Sequence, residues 1–448
     1  MFRFALICSL VLAAKASLAG SLPSDKILPL KDRAALIDQV LLDRLEHTLP
    51  ALMRRTGIDM WVLVAREYNE DPIVMTMLPG TSHAARRRTI LVIVDEGNDE
   101  GVNGYAVSRY AVGAFFKPVW NPDEGADQWQ ALADFIESKS PKKIALNISE
   151  TFALADGLTH GEYQGLYGAL SEEQRSKIVP AEPLAIAWLE TRSDLEMELY
   201  PNIVAIAQQI IAEGFSNATI EPGKTTTEDL MWWYRERIKE LKLDTWFHPS
   251  VNIQRDDGAA AEFVKLFTDT EKLGVIVPGD LLHVDFGIKY LRLNTDTQQH
   301  AYVLRPGEKE APLGLREALK KGNQLQDILT NEFEVGRTGN EILKASREEA
   351  LRQGLIPSIY THPIGYQGHG AGPTIGMWDN QGPTIGRGDY PMYPNTAFSI
   401  ELNVTEKIPE WNNKEIRIML EEDAFFDGVK TRYIAPRQTS FHLIKSQD

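Results

Sequence analysis

The chain has 448 residues, a length that allows two or three domains with substantial cores. Its formal net charge of −16 argues against a nucleic-acid backbone as the partner, because like charges repel. Charged residues make up 25% and hydrophobic residues 43% of the sequence, which excludes a disordered chain and a protein built from membrane helices.

The first 19 residues have the pattern of a cleavable export signal. Arg3 supplies the positive charge, Phe4–Ala14 is an apolar run too short to span a bilayer, and Ser17–Ala19 provides small residues for cleavage. The only cysteine, Cys8, lies in this segment, so the mature chain is expected to have no disulfide. Because no later apolar run has the length of a membrane helix, we expect a secreted or periplasmic protein without a membrane partner.

Helical and strand patterns alternate between residues 20 and 189. Regular spacing of Leu and Ile predicts a helix over Asp32–Arg55, and an acidic start marks another over Asp123–Ser138. Apolar runs predict four strands, which are Asp59–Ala65, Thr89–Asp95, Gly104–Tyr110 and Ile144–Ser149. This alternation predicts an α/β layer domain over residues 20–189.

The next stretch reads as a connector, Pro180–Leu189, and we place the domain boundary near residue 190. An amphipathic pattern then predicts a long helix over Leu195–Phe215. A sequence that resembles a capping box, Thr225–Glu228, opens a second helix over Asp229–Leu241.

Three histidines precede or follow the next strands. His248 opens a strand, Phe247–Gln254, and is a candidate contact for a substrate, although a surface or core position is commoner for a single histidine. His283 lies two residues before Asp285 and therefore on the same strand face, as a candidate lining residue. His300 follows two glutamines, and we expect it to be exposed.

The last third of the chain places carboxylates inside apolar strand patterns. Asp285 lies within Leu281–Ile288, and Asp296 follows eleven positions later within Leu293–Leu304. A carboxylate within an apolar strand is costly unless it is hydrogen-bonded, paired or bound to a metal. From these two residues alone, a metal or acid/base pair and a solvent-facing position at a strand end are equally open.

Three stretches downstream narrow the choice. The segment 361–372, THPIGYQGHGAG, is rich in glycine and holds two histidines seven residues apart, while the two strand patterns that follow each contain a glutamate. One such carboxylate has an ordinary explanation as an edge or salt-bridged residue, but four of them beside a glycine-flanked histidine do not. Together they make an oxygen-rich ligand set for two divalent metals: Asp285, Asp296, His362, Glu401 and Glu421.

At these residues the chain resembles the M24 metallopeptidases of the creatinase, prolidase and aminopeptidase P group, which have the pita-bread fold. The aspartate pair, the His-x-x-Gly motif that begins at His362, the second histidine at His369 and the two glutamates match the motifs of that family. The resemblance implies an α+β protein. A creatinase-type α/β domain at residues 20–189 would precede a pita-bread catalytic domain at residues 190–448.

The resemblance also implies an exopeptidase that cleaves Xaa-Pro bonds in peptides and forms a homodimer, and the first 19 residues imply its export. The five ligands would bind two divalent ions, with Mn²⁺ expected first and Co²⁺ or Zn²⁺ as alternatives, and water activated there would attack the amide. Glu401 would also carry the proton as general base and then acid. His369 would donate a hydrogen bond to the substrate or the tetrahedral intermediate, and Arg417 would orient the acidic cluster.

The final ligand is assigned by strand alternation. Arg417, Met419 and Glu421 fall on one strand face, whereas Glu422 points to the other. The family often places an arginine near its last glutamate, so we choose Glu421.

The sequence departs from the family at two places. The family's further histidine, some seventeen residues before the first aspartate, would fall near residues 267 and 268, where this chain has none, and His248 is the candidate replacement. Leu402 stands where proline often follows the metal-binding glutamate. The alternatives are therefore a related hydrolase of another amide or of phosphotriesters, and a binding protein that kept the fold without turnover.

Overall fold

The computed structural model describes residues 21–97, 101–256 and 274–446. The predicted export signal and the positions near 267 and 268 lie outside these ranges. Within them, no helix has both the length and the apolar composition needed to cross a membrane.

The first part of the chain folds around one sheet of six strands, in the order β4-β3-β2-β1-β5-β6. Its strands are β1 (Met60–Arg66), β2 (Arg88–Asp95), β3 (Val102–Ala106), β4 (Phe116–Pro118), β5 (Ile144–Leu146) and β6 (Ile178–Pro180). Its helices are α1 (Leu30–Asp43), α2 (Leu49–Thr56), α3 (Pro72–Met77), α4 (Gln128–Lys139), α5 (His160–Ala169), α6 (Glu172–Ser176) and α7 (Glu182–Glu190).

Strand β1 has an unbroken apolar sequence because both of its faces are buried. Trp61 and Leu63 belong to the core on one face of the sheet, whereas Met60, Val62 and Val64 belong to the core on the other. A strand that is buried on both faces has no position at which a polar side chain meets water. The predicted strands of this domain are confirmed, with ends that differ by a few residues.

Two predicted helices differ in detail from the structure. The predicted helix over Asp32–Arg55 is divided, because one wider turn, Arg44–Thr48, joins α1 to α2. Helix α4 begins at Gln128 and not at Asp123, because the carboxylate of Asp127 accepts the backbone N–H groups of Trp129 and Gln130 and caps the helix there.

The prediction of a connector over Pro180–Leu189 is wrong. Most of it is helix α7, in which Leu184 and Trp188 are fully buried. Its apolar residues recur without a polar face, so the segment is a core helix that packs beneath the six-stranded sheet.

Glu190 ends α7 in a buried position. Its Oε1 accepts hydrogen bonds from Arg55 (3.2 Å) and the Tyr390 hydroxyl (3.1 Å), while Oε2 has no partner among the described residues. Burial raises the pKa of Glu190 to about 8, and the Arg55 charge opposes that rise. The folded chain therefore keeps a proton here that the unfolded chain releases near its ordinary pKa of 4.5.

We expect Glu190→Gln to flatten the dependence of stability on pH. Because the pKa is raised in the folded state, the stability contributed by Glu190 is lost as pH rises from about 4.5 to about 8. The wild type should be less stable than the variant near pH 8.5 by about 4–5 kcal/mol, a gap that narrows toward pH 5. Denaturant unfolding across this range, with exposed Glu172→Gln as control, tests it, and parallel curves would contradict it.

Where the structure describes the second part of the chain, it contains four longer helices and four small sheets. The helices are α8 (Asp194–Gly214), α9 (Thr227–Glu240), α10 (Leu313–Asn331) and α11 (Gly339–Arg352). The strands are β7 (Ser250–Gln254), β8 (Leu281–Phe286), β9 (Lys289–Tyr290), β10 (Leu293–Asn294), β11 (Thr297–Val303), β12 (Pro357–Ile359), β13 (His362–Pro363), β14 (Thr396–Ser399), β15 (Leu402–Ile408), β16 (Lys414–Leu420), β17 (Asp423–Phe426), β18 (Thr431–Tyr433) and β19 (His442–Ile444).

These strands lie between two helix pairs. Residues of α8 and α9 share a core with Val284 and Phe286 of β8, and residues of α10 and α11 share another with Leu402 and Val404 of β15. The sheets have the orders β19-β11-β8-β7, β12-β15-β16, β13-β14-β17-β18 and β10-β9. The predicted ligands lie at strand ends between the two helix pairs.

Candidate metal centre

The first two candidate ligands come from neighbouring antiparallel strands. Asp285 is on β8, and Asp296 directly precedes β11, which pairs with β8 so that Gln298 lies opposite Asp285. The segment between them contains the β9-β10 hairpin, in which Tyr290 pairs with Leu293. The hairpin reverses the direction of the chain between Asp285 and Asp296 and so brings the two carboxylates together.

The other three candidates lie at the ends of strands in the remaining sheets. His362 begins β13, Glu401 lies between β14 and β15, and Glu421 lies between β16 and β17. A pair of backbone hydrogen bonds joins Gln298 to Glu421, with N···O distances of 3.0 and 3.3 Å, and so connects β11 to the last of these ends. Sheets distant in sequence therefore meet at one point.

The structure brings all five predicted ligands together. His362 Nε2 lies 3.8 Å from Asp296 Oδ2 and 3.7 Å from Glu421 Oε1. The donor atoms form three overlapping groups, each with all its atoms within 4.8 Å of one another. These groups are Asp285 with Asp296 and Glu421, His362 with Glu401 and Glu421, and Asp296 with His362 and His369.

The unsatisfied atoms of the cluster fit a cation. His362 Nδ1 lies 3.0 Å from the carbonyl oxygen of Pro363, to which it can only donate, so Nε2 carries the lone pair. This Nε2, Asp285 Oδ1 and Asp296 Oδ1 are buried without a hydrogen-bond partner among the described residues. Buried acceptors that face one another without a donor are costly, and a divalent cation would satisfy all of them.

The electrostatics of the cluster lead to the same conclusion. Burial raises the pKa values of Asp285, Asp296 and Glu401 well above their usual ranges, and the neighbouring Glu421 carboxylate raises them further. Four carboxylates in a site shielded from water repel one another when ionised. Bound cations reverse this effect because they stabilise the ionised forms.

Glycines position His369 beside this cluster. A Cβ atom at Gly368 would lie 2.3 Å from the Trp246 ring, so the chain passes Trp246 at a distance that other residues would not allow. The His369 ring then packs 5.1 Å from that of Trp246 and 4.7 Å from that of His362, measured between centroids. His369 is exposed, so it lies at the entrance of the site.

Arg417 and His248 lie farther from the cluster. Arg417 is exposed on β16, where it lines the same cavity as Glu401, whereas the Glu421 carboxylate accepts hydrogen bonds from Ser399 Oγ (2.6 Å) and Gln298 Nε2 (2.8 Å). His248 packs against Trp232 and Arg235 of α9. The structure therefore gathers the five ligands and His369 but leaves His248 outside the group.

A cavity of about 410 Å³ opens beside Glu401. Its walls combine aromatic and aliphatic side chains with neutral polar groups, one aspartate and one arginine, and include Tyr360, Trp378, Asp379, Met419 and Arg417. Glu401 is held at its edge because the backbone N–H of Tyr360 and the hydroxyl of Thr361 both donate to the Glu401 carbonyl oxygen, at 3.0 Å each. The cavity can hold a small organic group directly against the acidic cluster.

The two consecutive glutamates face different surroundings. Glu421 belongs to two of the three donor groups. Glu422 instead accepts hydrogen bonds from the backbone N–H of Gln438 (2.8 Å) and from Gln208 (3.2 Å). The side chains of Glu421 and Glu422 therefore point to different surroundings, as the alternation of side chains along a strand predicted.

The prediction that His300 is exposed is wrong. It is fully buried, where Nδ1 lies 3.0 Å from the carbonyl oxygen of Leu282 and Nε2 accepts the backbone N–H of Met419. β11 runs between other strands and is covered on both faces, so its polar run Gln298, Gln299 and His300 is satisfied by neighbouring chains instead of by water.

Sequence reasoning also missed Gln298, which donates to two of the candidate ligands. One feature of the sequence could have identified Gln298. It lies two residues after Asp296, and residues two apart on a strand share one face. His283, which strand alternation placed beside Asp285, donates to Gln298.

Comparisons with known proteins identify the family and the fold of the chain. The sequence model of metallopeptidase family M24 matches residues 202–428, slightly more than half of the chain. The chain belongs to metallopeptidase family M24. Among curated protein sequences, none matches it significantly.

Solved structures share the whole architecture at low sequence identity. An X-Pro aminopeptidase from Thermotoga maritima is 17% identical with a TM-score of 0.60, and the match covers 88% of this chain and 99% of that one. A Xaa-Pro dipeptidase from Bacillus anthracis is 16% identical with a TM-score of 0.54 and coverages of 93% and 100%. An alanine variant of Escherichia coli aminopeptidase P is 12% identical with a TM-score of 0.56 and coverages of 90% and 96%. The predicted α+β fold, with an N-terminal domain before a pita-bread domain, is confirmed.

Proposed function

We propose that this chain is an exported exopeptidase that uses two divalent metal ions to cleave Xaa-Pro bonds in peptides. The observation that carries the proposal is the convergence of Asp285, Asp296, His362, Glu401 and Glu421. Three of their buried acceptor atoms have no donor among the residues that the structure describes. The Xaa-Pro peptidases that share its fold support the substrate class. We propose export from the pattern of the first 19 residues. We propose that the protein forms a homodimer because it resembles the family.

The ligand set suits hard or borderline divalent ions. Four carboxylates and one imidazole nitrogen favour Mn²⁺, with Co²⁺ and Zn²⁺ as alternatives, and the described residues supply no thiolate that would select a softer ion. When bound, such ions lower the pKa of water and polarise an amide carbonyl.

Glu401 is placed to move the proton. Its carboxylate lies between the acidic cluster and the cavity, and Gln298 Nε2 donates to its Oε1 at 2.9 Å, which holds the group in one orientation. From that position it can accept a proton from the attacking water and deliver it to the nitrogen of the leaving group. The cavity beside it would receive one side of the scissile bond.

His369 and Arg417 would act on the substrate side. An imidazole N–H of His369, at the entrance beside His362, would donate to the oxygen that becomes negative as the amide is attacked. Arg417 adds positive charge to the wall of the cavity that contains Glu401, and so would orient the acidic cluster. His248 keeps its predicted role in substrate contact only if a substrate extends as far as α9.

Assays of the purified protein on paired peptides test this function. We expect hydrolysis of Xaa-Pro dipeptides or longer Xaa-Pro peptides in the presence of Mn²⁺, Co²⁺ or Zn²⁺, loss of activity on chelation, and recovery when the ion returns. Xaa-Ala peptides of equal length serve as controls for the proline requirement. The absence of metal-dependent hydrolysis across the panel would refute the proposal. Turnover of phosphotriesters alone would favour the related hydrolase, and bound metal without any turnover would favour a binding protein.

A further inference from the structure

One buried glutamine contacts both glutamates of the acidic cluster. Gln298 Nε2 donates to Glu401 Oε1 at 2.9 Å and to Glu421 Oε2 at 2.8 Å. An amide nitrogen has two hydrogens, so each carboxylate receives one of them. Only 4% of Gln298 is exposed, and water therefore does not compete for these hydrogen bonds.

The orientation of this amide is fixed from behind. Gln298 Oε1 lies 2.9 Å from His283 Nε2, and the other ring nitrogen of His283 lies 3.5 Å from Asn252 Nδ2. If Asn252 donates, His283 Nδ1 accepts and Nε2 must carry the proton that it donates to Gln298. A rotated amide would place its oxygen against two carboxylates and its NH₂ group against a donor.

The backbone gives this network a rigid support. Gln298 and Glu421 exchange two backbone hydrogen bonds, so the side chain and one of its acceptors start from paired strands. Groups held on paired strands keep a more constant geometry than groups on loops.

We propose that Gln298 is a positioning residue that holds the carboxylates of Glu401 and Glu421 for metal binding, and that His283 fixes the orientation of its amide. The proposal rests on the proposed metal-dependent function. A neutral amide suits this role because it orients two carboxylates without adding a positive charge that would oppose cation binding. Gln298 also lines the cavity beside Glu401, so its positioning role is tested by metal binding, which involves no substrate.

A neighbouring residue provides a matched control. Gln299 follows on the same strand with the opposite orientation, is 5% exposed, and accepts a hydrogen bond from His442 Nε2 at 2.9 Å. Gln298→Met and Gln299→Met therefore remove the same amide from equally buried sites. Partners of metal ligands typically change metal affinity or activity by about 10- to 100-fold when they are replaced.

The experiment measures binding of Co²⁺ alone to the wild type and both variants, by calorimetry and by the visible spectrum of the bound ion. We expect Gln298→Met to weaken affinity by about 10- to 100-fold and to alter the spectrum, whereas Gln299→Met keeps both. His283→Leu, which leaves Gln298 in place, should cause a smaller loss in the same direction. If Gln298→Met does not fold, the Co²⁺ affinity and spectrum of His283→Leu test the inference in its place.

Four outcomes would overturn the inference. Wild-type affinity and spectrum in Gln298→Met, or in His283→Leu when Gln298→Met does not fold, would show that the contacts do not position the ligands. An equal loss in Gln299→Met would show a general effect of a buried amide on this strand. If the wild type binds no Co²⁺, Mn²⁺ or Zn²⁺, the proposed function and this inference fail together. If Gln298→Met cleaves peptides normally with metal, this inference fails but the proposed function remains.

Discussion

Replacing Asp296 with asparagine is expected to reduce peptide hydrolysis by at least about 100-fold and to release bound metal. Asp296 contributes ligand atoms to two of the three groups, and its Oδ1 is one of the buried acceptors that have no partner within residues 21–97, 101–256 and 274–446. Asparagine has nearly the same size, but it is neutral and turns either an amide N–H or a weaker oxygen toward the cluster. Packing should therefore persist while cation binding is lost.

Elemental analysis together with kinetics of the purified variant checks this prediction. Asp71→Asn is a suitable control because Asp71 is also a buried aspartate, but it caps α3 in the first domain by accepting the N–H groups of Ile73 and Val74. That variant should lose some stability and keep its metal content. Unchanged metal content and activity in Asp296→Asn would remove the central ligand from the proposed site.

Replacing Arg44 with methionine is expected to destabilise the fold by about 3–5 kcal/mol. Arg44 is fully buried and forms a 2.5 Å ion pair with Glu196 of α8, and it also donates to the carbonyl oxygen of Thr191 at 2.6 Å. Its guanidinium lies 5.2 Å from the centroid of Tyr366, which belongs to the glycine-rich segment between His362 and His369. Methionine would leave part of the Glu196 charge and a carbonyl oxygen without a donor.

Chemical unfolding followed by tryptophan fluorescence measures this loss. Arg109→Met is the matched control, since Arg109 makes two hydrogen bonds to Asp123 (2.7 and 2.8 Å) on an exposed surface, where we expect no measurable change. Similar unfolding midpoints for Arg44→Met and the wild type would contradict the view that this network joins the first domain to the catalytic one.

The ligand candidates could be found in the sequence because their local context was costly. Asp285 within an apolar strand pattern and His362 among glycines have few explanations that do not involve a site. Strand alternation placed Glu421 and Glu422 on opposite faces, since they are adjacent residues of one strand, and the family's preference for an arginine near its last glutamate then favoured Glu421. The family resemblance then gave these residues roles that their spacing alone left open.

Other features depended on contacts that no local pattern reveals. His300 and Gln298 look like a polar surface run, but both are buried because β11 is an inner strand whose polar side chains are satisfied by Leu282, Met419, His283 and the two glutamates. The segment Pro180–Leu189 begins with prolines and a glutamate, which suggested a connector, although burial on all sides makes most of it a core helix.

The sequence by itself determined most of the strands and helices, because these depend on apolar periodicity, and it singled out the carboxylates among the five candidate ligands, because isolated carboxylates within strands are costly. The α+β class and the roles of the candidates came from the family resemblance. Only the tertiary structure decided which atoms of those ligands lack donors, that Gln298 and His283 support them, and that an arginine from the first domain is buried against the second. These properties arise where strands more than a hundred residues apart meet, and distances between such strands are set by the packing of the whole fold.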